Sequence, residues 1–325
     1  PVELLDVAGL VPGAHEGRGL GNRFLDELTA ADVVLQVVDA SGGTNAEGEP
    51  VEPGSRDPAA DVDFVDEELD AWLAGLVDDN WESVERKSRS PEFDLEAALT
   101  AMLTGVGATE PDVAAVLRDL AYPDDPKRWT GGDRDRLARA IRTRTKPMVV
   151  VANKADAASE ATLERLRVGT DKPVVPATAD GELALRRAVE AGVVAYNPGD
   201  DDFDVVGDVS DAQRTGLDAI REVMARLGGT GVQSALNAAV YDRLDRITVY
   251  PVQDASRWTD GSGTMLPDAF LLPTGSTPRD LAYAVHTDIG DGYLHAVDAR
   301  SSRRIGEDHE LAEGDVVKIV STAGP

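Results

Sequence analysis

Short apolar runs alternate with helical patterns over the first two thirds of the chain. Runs that favour buried strands lie at residues 1–8, 33–38, 148–151 and 174–177. Helices are predicted at about 22–30 and 159–167, and apolar residues spaced by three and four predict several more between about 61 and 142. This alternation indicates an α/β fold with a mostly parallel sheet.

The rest of the chain changes character twice. Residues 199–211 are acidic and contain glycine, which is typical of a junction, and a helical stretch is predicted at about 211–245. From Ile247 the pattern becomes short strands, tight turns and one helix, which predicts a small α+β module. We therefore expect a first domain over 1–199, a helical connecting segment over 200–246 and a second domain over 247–323.

Composition removes several classes of protein. Hydrophobic residues make up 42% of the 325 residues, and no apolar run approaches the roughly 20 residues that span a bilayer. No basic-then-apolar signal opens the sequence. We therefore expect a soluble cytoplasmic protein without a membrane partner, and favour a monomer. Cysteine is absent, which excludes disulfides, thiolate metal sites and cysteine nucleophiles.

The formal net charge of -28 is unusual for a globular protein. Only six lysines occur, and the acidic residues are spread along the chain instead of gathering in a tail. At molar salt the Debye length falls to roughly 3 Å, so most of the self-repulsion is screened. The composition resembles that of salt-in halophilic archaea. An acidic protein with a basic partner is the alternative.

Asp6 and Gly9 form a D-x-x-G pattern at the end of the first predicted strand. Ligands of open α/β sheets sit beyond the carboxyl ends of strands. A carboxylate there can hold Mg²⁺ through water, and a glycine lets its backbone N–H approach a γ-phosphate. Taken alone, the pattern also fits an ordinary strand-to-loop turn.

Asn153, Lys154 and Asp156 form an N-K-x-D pattern directly after another buried strand. An aspartate can accept both N–H donors on the Watson–Crick edge of guanine, whereas adenine has a lone pair in place of one donor. The lysine stem can cover the purine, and the asparagine can brace the loop. Alone, this pattern also fits an ordinary polar turn.

Thr178 and Ala179 follow the next strand and can close a base pocket, because small residues let a backbone N–H reach guanine O6. This third signal is weak alone. Its value is the order, since all three patterns occur in sequence at strand ends.

Residues 6–22, DVAGLVPGAHEGRGLGN, resemble switch II of Obg-like GTPases of the TRAFAC P-loop class. The resemblance implies a P-loop GTPase domain with a helical insertion at about 59–145, in the archaeal and fungal branch related to YchF. YchF proteins proper depart from N-K-x-D and prefer ATP, so the pattern kept here implies GTP and GDP as ligands. Leu10 stands where Ras-like proteins have a water-orienting glutamine. No catalytic side chain is therefore assignable, and His15 is interpreted as an ordinary loop residue.

The resemblance also implies Mg²⁺, held by Asp6 through water, and K⁺ as a possible second cation. No G-x-x-x-x-G-K-[ST] sequence occurs, although family members carry it ahead of switch II. We therefore expect the chain to be an N-terminally truncated fragment that binds nucleotide weakly or not at all. A degenerate, nucleotide-free relative is the alternative.

The C-terminal module resembles a TGS domain, in the β-grasp fold, through ITVYPV at 247–252, DAFLLP at 268–273 and GSTPRDLAYAVHTD at 275–288. Thr277, Pro278 and Asp280 suit the start of its helix. The resemblance implies RNA or ribosome contact, with candidates Arg300, Arg303 and Arg304. The predicted function is a GTP-hydrolysing switch associated with ribosomes or translation. An ATPase like YchF proper and a non-catalytic RNA-binding adaptor are the alternatives.

Overall fold

The computed structural model describes residues 2–7, 28–45 and 48–322. The chain divides into two compact units: Leu5–Ala239, and Val240–Pro325 with Pro1–Leu4. Among the described residues, no helix is long and apolar enough to cross a membrane.

The first unit is built on three parallel strands in the order β1-β2-β3: β1 Val34–Asp39, β2 Met148–Asn153 and β3 Val174–Pro176. The β2 side chains are almost entirely buried, as expected of a strand covered on both faces. In the ladder, Asp39 is the register partner of Asn153, and Ala152 is the partner of Pro176. All three strands therefore end at the same edge of the sheet.

Four helices occupy the predicted helical region: α1 Ala59–Lys87, α2 Leu95–Leu103, α3 Glu110–Leu120 and α4 Gly131–Thr145. They share a buried core that includes Leu73, Trp81 and Leu137. Both Thr109 and Thr130 cap their helices through a capping box with the aspartate three residues later. The sequence spacing of three and four apolar positions is therefore matched by real buried helix faces.

The remaining helices of the first unit are α5 Glu160–Gly169, α6 Ala179–Glu190, α7 Asp211–Leu227 and α8 Val232–Asn237. A two-stranded antiparallel pair, β4 Val194–Ala195 with β5 Asp204–Val205, lies between α6 and α7. The helical stretch predicted at 211–245 is interrupted. Gly228 ends α7 with φ +78°, Gly231 precedes α8 with φ +82°, and a π-helical turn follows at Ala238–Arg243.

The strand predicted at residues 1–8 is wrong for the part that the structure describes. Residues 2–7 form no strand, and Val2, Leu4 and Leu5 are exposed. A β-compatible sequence becomes a strand only where it forms a ladder, and no ladder joins residues 2–7 to β1. Asp6 therefore does not end a buried strand in this structure.

The second unit contains a five-stranded sheet in the order β7-β6-β10-β8-β9. Its strands are β6 Arg246–Pro251, β7 Phe270–Pro273, β8 Tyr293–Asp298, β9 Arg303–Ile305 and β10 Asp315–Ser321, and only the β6–β10 pair is parallel. Helix α9 Pro278–Val285 packs Leu281 into the core, and α10 Thr287–Asp291 follows it. Thr277 and Asp280 form the capping box that the sequence indicated.

Candidate nucleotide-binding site

The N-K-x-D residues leave the end of β2 in a tight turn. Asn153 is the last residue of the strand, and Lys154 has a φ of +56°. The Ala157 N–H donates to the Lys154 carbonyl at 3.0 Å, which closes the turn. A positive φ is uncommon for a residue other than glycine, and such residues often occur at functional loops.

Two loops, one after β2 and one after β3, are hydrogen-bonded to each other and form one edge of the candidate site. The Ala155 N–H donates to the Ala177 carbonyl at 3.0 Å, and the Ala177 N–H donates to the Ala152 carbonyl at 2.9 Å. Asn153 Oδ1 accepts a hydrogen bond from the Ala179 N–H at 3.1 Å. The structure therefore brings Asn153 and Ala179 together, and each loop limits the position of the other.

Thr178 begins α6 and is only 4% exposed. Its Oγ1 caps the helix by accepting from the Gly181 N–H at 3.3 Å. Its own N–H donates to the Thr230 carbonyl at 2.8 Å. The Thr178 side chain thus orders the loop that follows β3. The Ala179 N–H, which was expected near guanine O6, donates to Asn153 Oδ1 in this structure.

Lys154 is anchored by groups that the sequence reasoning missed. Its ammonium donates to Asp39 Oδ2 at 2.7 Å and to Thr44 Oγ1 at 3.3 Å. Asp39 is the last residue of β1 and is therefore beside the end of β2. The strand-end rule that identified Asn153 could have identified Asp39 as well, because both follow short apolar runs.

The Asp39 carboxylate is the most heavily bonded acid at this edge. Burial raises its pKa, but hydrogen bonds from Lys154, Ser41 and Thr44 outweigh burial and lower the pKa from 3.8 to about 2. The side chain is only 10% exposed, whereas that of Lys154 is 51% exposed. Asp39 is therefore ionised at neutral pH and holds the Lys154 ammonium at the base of the candidate site.

We expect Asp39→Asn to lower the free energy of unfolding by about 2.5 kcal/mol at pH 7, the linkage value of a carboxyl pKa that is lowered from 3.8 to about 2. The unfolded carboxyl binds a proton near pH 4, but the folded one binds it only near pH 2. The stabilisation is thus complete above about pH 5 and disappears as the pH falls through 2. Urea unfolding of the wild type and the variant from pH 7 to 2 measures this difference.

The control for this prediction is Asp171→Asn, because Asp171 is exposed in the turn before β3. That change should leave the unfolding free energy within about 0.5 kcal/mol at every pH. A difference between wild type and Asp39→Asn that stays constant from pH 7 to 2 contradicts the assigned role of the carboxylate.

Asp156 differs from its neighbours in the motif. It is exposed, and its carboxylate has no hydrogen-bond or ion-pair partner among the residues that the structure describes. Asn153 and Lys154 are held by protein atoms, so Asp156 is the motif residue whose acceptor oxygens remain available to a ligand.

Asp6 is exposed, and its carboxylate also has no hydrogen-bond or ion-pair partner among the described residues. No group of three or more metal-ligating side chains occurs among the described residues. A single carboxylate fits Mg²⁺ in a nucleotide site, because that ion keeps several waters and takes its other ligands from phosphates. Gly9, Leu10 and His15 lie outside the described residues.

The comparisons with known proteins agree with these motifs. A family model described as "Obg-like GTPase YGR210-like, G4 motif-containing domain" matches residues 151–254, and a TGS-domain model matches residues 263–321. A GTP-binding protein of Methanocaldococcus jannaschii is 44% identical over 327 residues, which cover 99% of this chain and 81% of that protein. This chain belongs to the Obg-like GTPase family.

Two further similarities support the assignment of this Obg-like GTPase. A GTP-binding protein of Schizosaccharomyces pombe is 31% identical over 301 residues, covering 88% of this chain and 72% of that protein. A crystal structure of a GTP-binding protein from Pyrococcus horikoshii has a TM-score of 0.76 and 40% identity, over 92% of this chain and 81% of that one. The expected α/β fold with a C-terminal TGS domain is confirmed.

The first family model extends beyond the two loops that follow β2 and β3 in this Obg-like GTPase. It starts at Val151, within β2, and runs through α7 and α8 to Asp254. The predicted domain boundaries at 199 and 246 stay a prediction.

Proposed function

We propose that the complete protein is a molecular switch that binds and hydrolyses GTP. One observation carries the proposal: the N-K-x-D turn is fastened to the loop that follows β3, while the Asp156 carboxylate has no partner among the described residues. An unpartnered, exposed carboxylate on a fixed turn suits the two N–H donors of guanine. Related proteins described as GTP-binding support this proposal.

Adenine is the main competing base. It presents a ring lone pair to a carboxylate that needs a donor, so binding it leaves Asp156 poorly paired. Asp156→Asn therefore tests the proposal, because in a GTPase this change should lower the affinity for guanosine nucleotides and raise the affinity for xanthosine nucleotides. An ATPase like YchF proper should show neither change.

We propose Mg²⁺ as the cofactor of the complete protein. Asp6 would hold the ion through water, and the ion would neutralise charge on the transferring phosphoryl group. Gly9 would place its backbone N–H at the γ-phosphate, and Leu10 would leave the water without a side-chain partner. We propose K⁺ as the second cation. Equal single-turnover rates of GTP hydrolysis in Na⁺ and in K⁺ would contradict that role.

We propose further that the TGS domain contacts ribosomal RNA. Arg303 and Arg304 are exposed on β9, which is an edge strand of the sheet. Val297 is the register partner of both Arg304 and Lys318, so two basic residues flank one position of β8. Neighbouring basic side chains such as Arg304 and Lys318 suit phosphate contacts in a chain that is otherwise acidic.

Arg300 is less available than its neighbours. Its Nη2 donates to the Gly314 carbonyl at 2.9 Å, and its guanidinium lies 5.1 Å from the centre of the Trp258 ring. We therefore assign Arg300 mainly a structural role within the TGS domain and give the proposed RNA contact to Arg303 and Arg304.

The double change of Arg303 and Arg304 to glutamate should weaken ribosome binding by at least about tenfold, because one hydrogen bond to a charged group contributes about 1.5 kcal/mol or more. Co-sedimentation with ribosomes at several KCl concentrations measures the effect. The matched control changes Arg257 and Arg279, two other exposed arginines of this unit, to glutamate. Equal retention of both double variants at matched salt contradicts the assignment.

A further inference from the structure

The segment that joins α7 to α8 makes close contacts with two loops, one after β2 (residues 154–158) and one after β3 (residues 177–179), which we call the base-recognition loops of the proposed site. Three of its residues carry these contacts: Arg226 at the end of α7, Thr230 in the turn, and Gly231 before α8. We call these three residues the connector clamp. They lie 52 or more residues beyond the loop residues that they contact, so these contacts do not follow from a local sequence pattern.

Arg226 holds the N-K-x-D turn. Its Nη2 donates to the Ala155 carbonyl at 2.6 Å, and its Nη1 donates to the Ala158 carbonyl at 3.2 Å. Ala155 is the residue between Lys154 and Asp156. A two-pronged guanidinium contact fixes the backbone from which the proposed base-reading carboxylate projects.

Thr230 holds the other loop. Its carbonyl accepts the Thr178 N–H at 2.8 Å. The N–H groups of Ala177, Thr178 and Ala179 thus donate in turn to Ala152, Thr230 and Asn153, so one of three consecutive donors of the loop is fixed by the clamp.

A buried carboxylate keeps Thr230 in place. The Thr230 hydroxyl donates to Glu182 Oε2 at 2.7 Å, and the same carboxylate oxygen accepts a hydrogen bond from the Tyr196 hydroxyl at 2.8 Å. Arg186 Nε donates to the other carboxylate oxygen at 2.6 Å. Burial raises the pKa of Glu182, but these three hydrogen bonds lower it overall, so the carboxylate is ionised at neutral pH. Thr230 is 2% exposed and Glu182 is 5% exposed.

Gly231 permits the close approach. It has a φ of +82°, and a Cβ atom built there would lie 2.0 Å from the Pro176 carbonyl oxygen and 2.8 Å from the Ala177 Cα. Any other residue must push the connector away from the loop that follows β3. Gly228 has a similar φ of +78°, but its Cβ would meet nothing within 4 Å. The two glycines therefore share a backbone conformation and differ in the close approach.

We propose that the connector clamp positions both base-recognition loops and is a third part of the guanine-selective site. The inference rests on the proposed guanine-nucleotide function. The clamp residues are positioning residues, since Arg226 and Thr230 act on the backbone of Ala155 and Thr178 instead of on the base. Displacing the clamp should alter the choice of base more than it alters contacts to phosphates.

The test compares Gly231→Ala with Gly228→Ala in the complete gene product in high KCl. We expect Gly231→Ala to lower the ratio of GDP to ADP affinity by about ten- to a hundredfold, since a misplacement of about 1 Å can cost a hundredfold. Gly228→Ala should leave this ratio unchanged, because it adds only the backbone strain that both variants share. ADP affinity serves as the internal measure of phosphate binding and should be the same in both variants.

A second pair covers the case in which Gly231→Ala does not fold. Thr230→Val removes the hydroxyl donor to Glu182 and should lower the affinity ratio, whereas Thr230→Ser keeps the donor and should restore it. Amide hydrogen exchange of residues 177–179 gives a readout without nucleotide, and it should be faster in Thr230→Val than in Thr230→Ser.

The outcomes separate the two claims. A wild type that shows no preference for GDP over ADP rejects the proposed function. A wild type with that preference, which Gly231→Ala and Thr230→Val both leave intact, overturns the clamp. Faster exchange at residues 177–179 together with a lower GDP-to-ADP ratio supports it.

Discussion

Asp156→Asn is expected to lower GTP affinity of the complete protein by about 10⁴-fold, the range in which sites built for a specific hydrogen bond reject an analogue lacking it. A carboxylate accepts from both the ring N–H and the exocyclic amine of guanine, whereas an amide offers one acceptor and one donor. Xanthine has a carbonyl in place of the exocyclic amine, so it pairs with the amide. Titration with fluorescent GDP and XDP in high KCl measures the exchange of preference.

The variant should fold as the wild type does. The Asp156 carboxylate is exposed and has no partner within the described part of the protein, so its neutralisation removes no protein contact. Asp171→Asn is the matched control, because Asp171 is an exposed aspartate that lies before the start of β3, whereas the candidate site lies at the strand ends. Retained GTP affinity in Asp156→Asn, with no gain for XTP, would show that the carboxylate does not read the base.

The part of the site that the sequence could predict is the part that follows strand order. Asn153 and Ala179 come after neighbouring parallel strands, so their positions at one edge of the sheet follow from the α/β pattern. Asp39 obeys the same rule but belongs to no familiar motif, and its role appears only when its contact with Lys154 is seen. A motif identifies residues by their spacing, whereas the sheet brings together the ends of β1 and β2, Asp39 and Asn153, which are 114 residues apart.

The connector clamp could not be predicted from local pattern. Arg226 and Thr230 contact backbone carbonyl and N–H groups, and such contacts place no demand on the identity of the residues at the other end. Two glycines did carry a signal. Gly228 and Gly231 both adopt positive φ values, and they are the signal of interruption that the prediction of a helical stretch over 211–245 left out.

The fold shows two further limits of pattern reading. Residues 2–7 have the composition of a strand, but strand formation depends on a ladder partner, and residues 2–7 form none. Strand β9 shows the opposite case, because Arg303 and Arg304 lack the apolar pattern that predicts a strand. Edge strands tolerate exposed charges because one side of the ladder faces solvent, so a basic pair is compatible with a short edge strand.

Helices α1 and α4 are joined to the sheet by an ion-pair network at the end of the sheet opposite the loops that follow β2 and β3. Arg142 of α4 donates from Nε to Asp70 Oδ1 at 2.9 Å, and its Nη1 lies 3.1 Å from Asp66 Oδ1. Lys172, just before β3, donates to Asp66 Oδ2 at 2.5 Å. Arg139 also pairs with Asp70, at 2.8 Å. The network thus connects α1 and α4 with the start of β3.

The two arginines of this network form a natural comparison. They pair with the same Asp70 carboxylate, but the Arg142 side chain is 10% exposed and that of Arg139 is 73% exposed. Removing one member of a buried pair leaves a charge that water cannot fully solvate, whereas an exposed pair contributes little. The exposed fraction of the arginine should therefore decide the size of the effect.

We expect Arg142→Met to lower the free energy of unfolding of the first unit by about 3 kcal/mol, since breaking a buried ion pair costs about 3–5 kcal/mol and Arg139 and Lys172 still pair with the two aspartates. Arg139→Met should cost less than about 1 kcal/mol. Methionine preserves most of the apolar stem in both variants, so lost packing contributes little. Urea unfolding at fixed KCl, followed by the fluorescence of Trp81 and Trp129 in the insertion core, measures both values. Equal destabilisation by the two changes would show that burial of the Arg142 guanidinium does not determine its contribution.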